Sequence, residues 1–295
     1  MRPRPQLVLG ADTLSWHLRL ETGDITLEQL LEEAREAGAE FVQLTLHHAR
    51  ERSLDDLERL AGSAEDLGLR LLASGDFLGG ARFGDPPGVA AERVGGWLER
   101  ALAIGSPILR VTSGFYRADL ATQPEAIEAE RRWVIAALEA ALPSCREAGV
   151  TLALENHADF TAMEYRSILD AVGSDHAGVF LDVINPVAAL EDPVPVVEAL
   201  APYAVAGHVK DFELESIQTE GGYHRRGFSV LYRYPGEGAA DLPAIWSALA
   251  VGLGGRELPL AVEGLDNRAD ARDQKERLQR SFEHLRRLVP AQAEA

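Results

Sequence analysis

The sequence predicts an α/β fold, a single (β/α)8 barrel over residues 1–295. Three observations predict it: the chain length, an alternation of strand-like and helix-like segments, and the number of strand-like segments. A chain of 295 residues suits one α/β barrel, which runs to about 250 residues plus insertions. Short β-branched or Leu-rich runs alternate with Ala/Leu/Glu/Arg stretches of helical period, the mark of βαβ units and parallel strands. The strand runs are Gln6–Ala11, Phe41–Leu46, Arg70–Ser74, Ile108–Thr112, Thr151–Glu155, Gly178–Asp182, Ala206–Lys210 and Leu258–Glu263. That is the eight a closed parallel barrel needs.

The segments between them carry helix signals. Thr26-Leu27-Glu28-Gln29 is a capping box, and Leu27, Leu30, Leu31 and Ala34 then share one face. Ser53 with Asp56 and Thr161 with Glu164 mark further helix starts, and Asp192-Pro193 and Asp241-Leu242-Pro243 place a cap and an early proline. Gly38, Gly68, Gly105 and Gly149 stand where helices hand over to strands, a place that favours left-handed backbone. Two segments read as loop elaborations, 75–88 and 212–240; long loops in a compact domain commonly serve binding. Pro290–Ala295 reads as a frayed tail.

Composition removes several functions. With 46% hydrophobic and 26% charged residues the chain has a large core and no disordered character. No apolar run reaches the roughly 18–20 residues needed to span a bilayer. Met1-Arg2-Pro3-Arg4-Pro5 lacks the apolar stretch of a signal peptide. Cys145 is the only cysteine, so an internal disulfide is excluded and a cytoplasmic setting is expected. The net charge of −18 argues against nucleic acid and anionic membrane. No P-loop or G-x-G-x-x-G stands in the sequence.

The chemistry lies at the ends of the later strands. Leu152-Ala153-Leu154-Glu155, Val179-Phe180-Leu181-Asp182, Gly207-His208 and Leu260-Ala261-Val262-Glu263 each close an apolar run with a group able to bind a metal. In a barrel these ends converge on one mouth, where active sites sit. One charged residue at a strand end is ordinarily the step into solvent. Glu155, Asp182, His208 and Glu263 on consecutive strands point instead to one divalent cation, because carboxylates buried together without one would repel. The mixed N/O set suits Mn²⁺ first, with Co²⁺, Mg²⁺ or Zn²⁺ as alternatives.

Leu154-Glu155-Asn156-His157, Leu181-Asp182-x-x-Asn185, His208-Val209-Lys210-Asp211, Pro235-Gly236-Glu237-Gly238-x-x-Asp241 and Val262-Glu263-Gly264 resemble the sugar phosphate isomerase/epimerase family of xylose-isomerase-like barrels. The resemblance covers essentially the whole chain and is strongest in its second half. In relatives such as ketose 3-epimerases the residues matching Glu155, Asp182, His208 and Glu263 hold the metal, and the two glutamates also move the substrate proton. The resemblance therefore implies that Glu155 and Glu263 are the catalytic acid and base. It implies a divalent-metal-dependent isomerase or epimerase of a ketose or keto-sugar derivative, working through proton abstraction next to a metal-bound carbonyl and an enediolate. A homodimer or homotetramer also fits barrels of this kind.

His157, Asn185, Lys210, Asp211, His48, Asp76 and Glu237 are expected at the substrate. His157 lies two residues beyond Glu155 and Lys210 two beyond His208, the same side of an extended strand. Lys210 has an ion pair with a barrel acid as its other reading, and Glu237 a role in shaping its turn. His48 and Asp76, with Asp12 and His47, stand just past the first three strands. Gln43 occupies the middle of the second strand, where relatives often place a glutamate. Trp16, Phe77, Phe115 and Tyr116 are candidate pocket walls. Two alternatives stand beside the isomerase: a metal-dependent dehydratase or lyase on a keto-sugar or inosose-type substrate, and a non-catalytic sugar-binding protein. An abasic-DNA nuclease on the same barrel is disfavoured by the charge.

Overall fold

The computed structural model describes residues 6–217, 227–265 and 273–288. The basic N-terminus, the tail at 290–295, part of the 212–240 elaboration and the start of the Arg-rich C-terminal stretch lie outside them. Eight parallel strands close into a barrel: β1 (Gln6–Asp12), β2 (Phe41–Thr45), β3 (Arg70–Phe77), β4 (Ile108–Thr112), β5 (Thr151–Glu155), β6 (Ala177–Asp182), β7 (Ala204–Val209) and β10 (Glu257–Val262). The eight expected strands are these eight: β4 and β5 have the expected ends, and the others shift by one to three residues. Among the described residues, β8 (Asp211–Ile217) and β9 (Gly227–Arg233) form a separate antiparallel hairpin after β7. The sequence reading took this stretch for a loop because of its glycines. Phe212 and Leu214 alternate with Asp211, Glu213 and Glu215, and this period of two marks the first strand of the hairpin.

The helices are α1 (His17–Thr22), α2 (Leu27–Ala37), α3 (Leu54–Asp66), α4 (Gly88–Ala103), α5 (Pro124–Ala148), α6 (Ala162–Val172), α7 (Pro193–Leu200), α8 (Leu242–Leu253) and α9 (Gln274–Leu288). The expected capping box forms at Thr26/Gln29, and the helix starts expected at Ser53/Asp56 and Thr161/Glu164 are capping boxes too. Each satisfies two backbone N–H groups that a helix start would leave bare. Gly38 and Gly149 are left-handed C-caps with φ of 91° and 69°. Helix α9 pairs Glu276 with Arg280 on its outside and buries Leu278, Phe282 and Leu285 on its inside. No helix among the described residues is long and apolar enough to cross a membrane.

Two apolar layers hold the fold. The larger lies between strands and helices and includes Leu30, Leu57, Leu109, Leu152, Leu200 and Leu260. The smaller fills the barrel interior with Val8, Phe41, Leu72, Ala153, Phe180, Ala206 and Ala261, against which Ile108 packs. Gly10, two residues on from Val8, is glycine by necessity, since a Cβ there would sit 2.4 Å from the Phe41 ring.

Candidate active site

Side chains two apart on a strand share a face. Two residues on from each interior apolar residue stand Gly10, Gln43, Ser74, Arg110, Glu155, Asp182, His208 and Glu263. The polar layer therefore lies directly above the apolar one, at the C-terminal ends of the strands. The third step gives Asp12, Thr45, Asp76, Thr112, His157 and Lys210.

The polar layer centres on His208, which is fully buried. Its Nδ1 has no hydrogen-bond partner. It faces Glu155 Oε1 at 3.5 Å, Asp182 Oδ2 at 3.6 Å and Glu263 Oε1 at 3.6 Å. On the other side of the ring, Nε2 lies 3.2 Å from Asp12 Oδ2, with the Gln43 amide 2.9 Å from the same nitrogen. Asp12 is itself fixed, because Oδ1 accepts from Leu14 N at 2.7 Å and from Thr45 Oγ1 at 3.1 Å. A carboxylate behind an imidazole sets which nitrogen carries the hydrogen and leaves the other lone pair free for a cation.

Asp182 and Glu155 are held from several directions. Asp182 Oδ1 accepts from the backbone of Ile184 and Asn185 at 2.8 and 2.7 Å. The Asn156 amide bridges both backbone groups of Asp182 at 2.8 Å, tying the end of β5 to that of β6. Asn185 Nδ2 donates to Glu155 Oε1 at 3.1 Å and its oxygen accepts from Tyr232 Oη at 2.9 Å. The hairpin thus reaches into the site through Tyr232, whose ring also lies 4.2 Å from the Lys210 ammonium.

Two buried cations complete the layer. Arg110 pairs with Glu155 and donates to Ser74 Oγ at 3.1 Å. Lys210 lies 2.8 Å from Asp182 Oδ2 and in contact with Glu263. Burial works against ionisation of Glu155, but Arg110 and then His208 overcome it and hold the carboxyl well below its usual range. Asp182 is lowered in the same way, burial being outweighed by Lys210 and His208. Burial also opposes charge on His208, yet Glu263, Asp12, Asp182 and Glu155 push its pKa well above that of a free imidazole.

The residues fit a divalent cation. Four buried carboxylates (Asp12, Glu155, Asp182, Glu263) stand against two fixed cations, Arg110 and Lys210, a deficit of two positive charges once His208 gives up its proton to act as a ligand. Two ligands about 2.1 Å from one ion lie about 3.0–3.4 Å apart, close to the spacing of His208 Nδ1 from its three carboxylate oxygens. Glu155, Asp182 and His208 have ligand atoms within 4.8 Å of one another. Such a set with one imidazole suits a hard or borderline ion.

Beside the cluster opens a cavity of about 570 Å³, large enough for a small ligand. His48, Asp76, Phe77, Arg110, Tyr116 and His157 line it. The His157 ring lies between those of Phe77 and Tyr116, at 5.9 and 5.4 Å. Of the expected substrate residues, His157, His48 and Asp76 therefore line the cavity, while Asn185 and Lys210 touch the carboxylate cluster. Asp211 is spent elsewhere: its carboxylate accepts from the backbone of Gly236, Gly238 and Ala240 at 3.1, 3.0 and 2.9 Å and staples that turn. Glu237 is exposed and pairs with Arg277 and Arg280 of α9. Of the expected aromatic walls, Phe77 and Tyr116 line the cavity, whereas Trp16 and Phe115 are core residues. Arg110 and Tyr232 were missed by the sequence reading. Arg110 sits inside an apolar run, and counting by twos from Ile108 would have found it.

A family model described as xylose isomerase-like TIM barrel matches residues 31–288. The chain belongs to this family. Over 212 residues it is 30% identical to the 3-oxo-isoapionate decarboxylase of Pectobacterium atrosepticum, covering 70% of this chain and 69% of that protein. Solved structures share the fold. The IOLI protein with a bound zinc atom matches at a TM-score of 0.71 and 18% identity, over 98% of both chains. The D-psicose 3-epimerase of Clostridium cellulolyticum H10 with D-tagatose matches at 0.71 and 14%, over 98% of this chain and 99% of that one. The family is one of sugar-modifying enzymes, and the expected barrel is the observed one.

Proposed function

We propose that the chain is a divalent-metal-dependent isomerase or epimerase of a ketose or keto-sugar derivative. The observation that carries this is the free Nδ1 of His208, facing Glu155, Asp182 and Glu263 at 3.5–3.6 Å with Asp12 behind the ring. These four residues would hold the cation, which when bound polarises a substrate carbonyl and acidifies the neighbouring C–H. Arg110 keeps Glu155 ionised, so that Glu155 is ready to accept the proton from that carbon. Glu263, in contact with the Lys210 ammonium, takes a proton from that ammonium and passes it to carbon. Return to the same carbon from the opposite face inverts it; return to the neighbouring carbon isomerises the sugar. His157, His48 and Asp76 bind hydroxyl groups in the cavity.

A second reading is decarboxylation of a keto-sugar acid. Lys210 in contact with Glu263 would supply the proton that replaces CO2 on the carbon. The relative named a decarboxylase points the same way. Glu155→Gln and Glu263→Gln should each lower turnover by about 10²–10⁴-fold with an unchanged circular dichroism spectrum; full activity in either removes that residue from the mechanism. A panel of ketoses and 3-oxo sugar acids incubated in D2O separates the readings. Deuterium uptake at carbon without gas release supports the isomerase, and CO2 release supports the decarboxylase.

A further inference from the structure

The cavity wall opposite the later strands carries a second constellation, of which the proposed reaction uses only His48. His17 opens α1, Glu21 follows it by one helical turn, and His48 comes from the turn after β2. His17 Nδ1 and His48 Nε2 face each other at 3.1 Å. Their ligand atoms and a Glu21 carboxylate oxygen all lie within 4.8 Å of one another. His17 and His48 both line the cavity.

We infer that His17, Glu21 and His48 form a second metal site, of zinc type, on the β1–β2 side of the cavity. Two imidazole nitrogens 3.1 Å apart make either one N–H···N bond or two ligands of a shared cation. Two further features favour the cation. A carboxylate beside both rings is not needed for an N–H···N bond, and the i,i+4 spacing on α1 puts Glu21 on the His17 face, where its Oε1 also lies 3.7 Å from His47 Nε2. The far nitrogen of His48, Nδ1, lies 2.9 Å from Thr13 Oγ1, which also accepts from Thr45 N at 3.0 Å. This is the outer contact that fixes a ligating imidazole with its other nitrogen, here Nε2, turned toward His17. His47 stays outside the set, because its Nε2 accepts from Arg50 at 3.0 Å.

Two imidazoles and one carboxylate select Zn²⁺, Co²⁺ or Ni²⁺ over Mg²⁺ and Ca²⁺, which take oxygen ligands. Three protein ligands leave coordination positions unfilled, and oxygens of a molecule in the cavity complete them. The two sites are linked through neighbouring residues: Thr13 holds His48, and Asp12 holds His208.

The test is the zinc count per chain. Chelator-stripped protein is saturated with ZnCl2, desalted and analysed for zinc, as wild type and as His17→Gln/His48→Gln. The expected counts are two and one. If the cluster around His208 holds no cation, they become one and none; the second site then stands and the reading under Proposed function falls. Equal counts in wild type and the double variant overturn the inference. Glu21→Gln, an exposed change that spares folding, should weaken the same equivalent by about tenfold or more in a chromogenic-chelator competition; unchanged affinity there also overturns it.

Discussion

The two ends of the barrel interior are built by the same strands and have opposite chemistry. At the N-terminal end Phe41, Leu72, Phe180 and their neighbours make an apolar plug. Two residues further along, the same inward faces carry Glu155, Asp182, His208, Glu263 and Arg110. Stability and function are thus separated by one step of the strand period. The plug is held by burial alone. The polar end is held by mutual compensation, so on the proposed reading it should respond to cations and pH where the plug does not.

Substitutions at the two ends should separate these behaviours. Phe41→Ala empties the plug and is expected to cost about 3–5 kcal/mol, the same with or without added metal, in urea unfolding. Lys210→Met removes one of two buried cations and leaves Asp182 and Glu263 uncompensated. It should cost about 3–5 kcal/mol in chelator-stripped protein, and added Mn²⁺ should recover part of that loss. A Phe41→Ala loss that metal repairs, or a Lys210→Met loss that metal leaves untouched, breaks the comparison.

A smaller effect comes from pH. The proton on His208 is held well above the usual imidazole range by the carboxylates around it, and a cation must displace it. Metal affinity should therefore rise with pH by about tenfold per unit through the neutral range, read by calorimetry in buffers of different ionisation heat. In metal-free protein the sign is opposite. The His208 contribution to stability is full below the unfolded imidazole pKa and is lost as pH rises through the folded one. Affinity flat between pH 6 and 8, as about one unit either side of neutral, would remove His208 from the ligand set.

Much of this was legible in the sequence, for specific reasons. The strands showed as apolar runs closed by charged residues, so Glu155, Asp182, His208 and Glu263 were visible as run ends. Arg110 was hidden because it interrupts a run, and it emerges only when inward parity is traced from the apolar layer. Gln43 stood out in its strand, but an amide there announces no role until its contact with His208 is seen. Asp211 looked like a site residue by its distance from His208, yet odd spacing turns it away and the turn at 236–240 takes its carboxylate. The hairpin was obscured by glycines that suggested a loop, and with it Tyr232.

The central claim is that His208 and the three carboxylates around it hold one divalent cation. The direct measurement is Mn²⁺ binding to chelator-stripped protein by electron paramagnetic resonance, on wild type and on His208→Ala. The account predicts one tightly bound Mn²⁺ per chain in wild type and none in the variant. No binding to wild type, or equal binding by the variant, would contradict it.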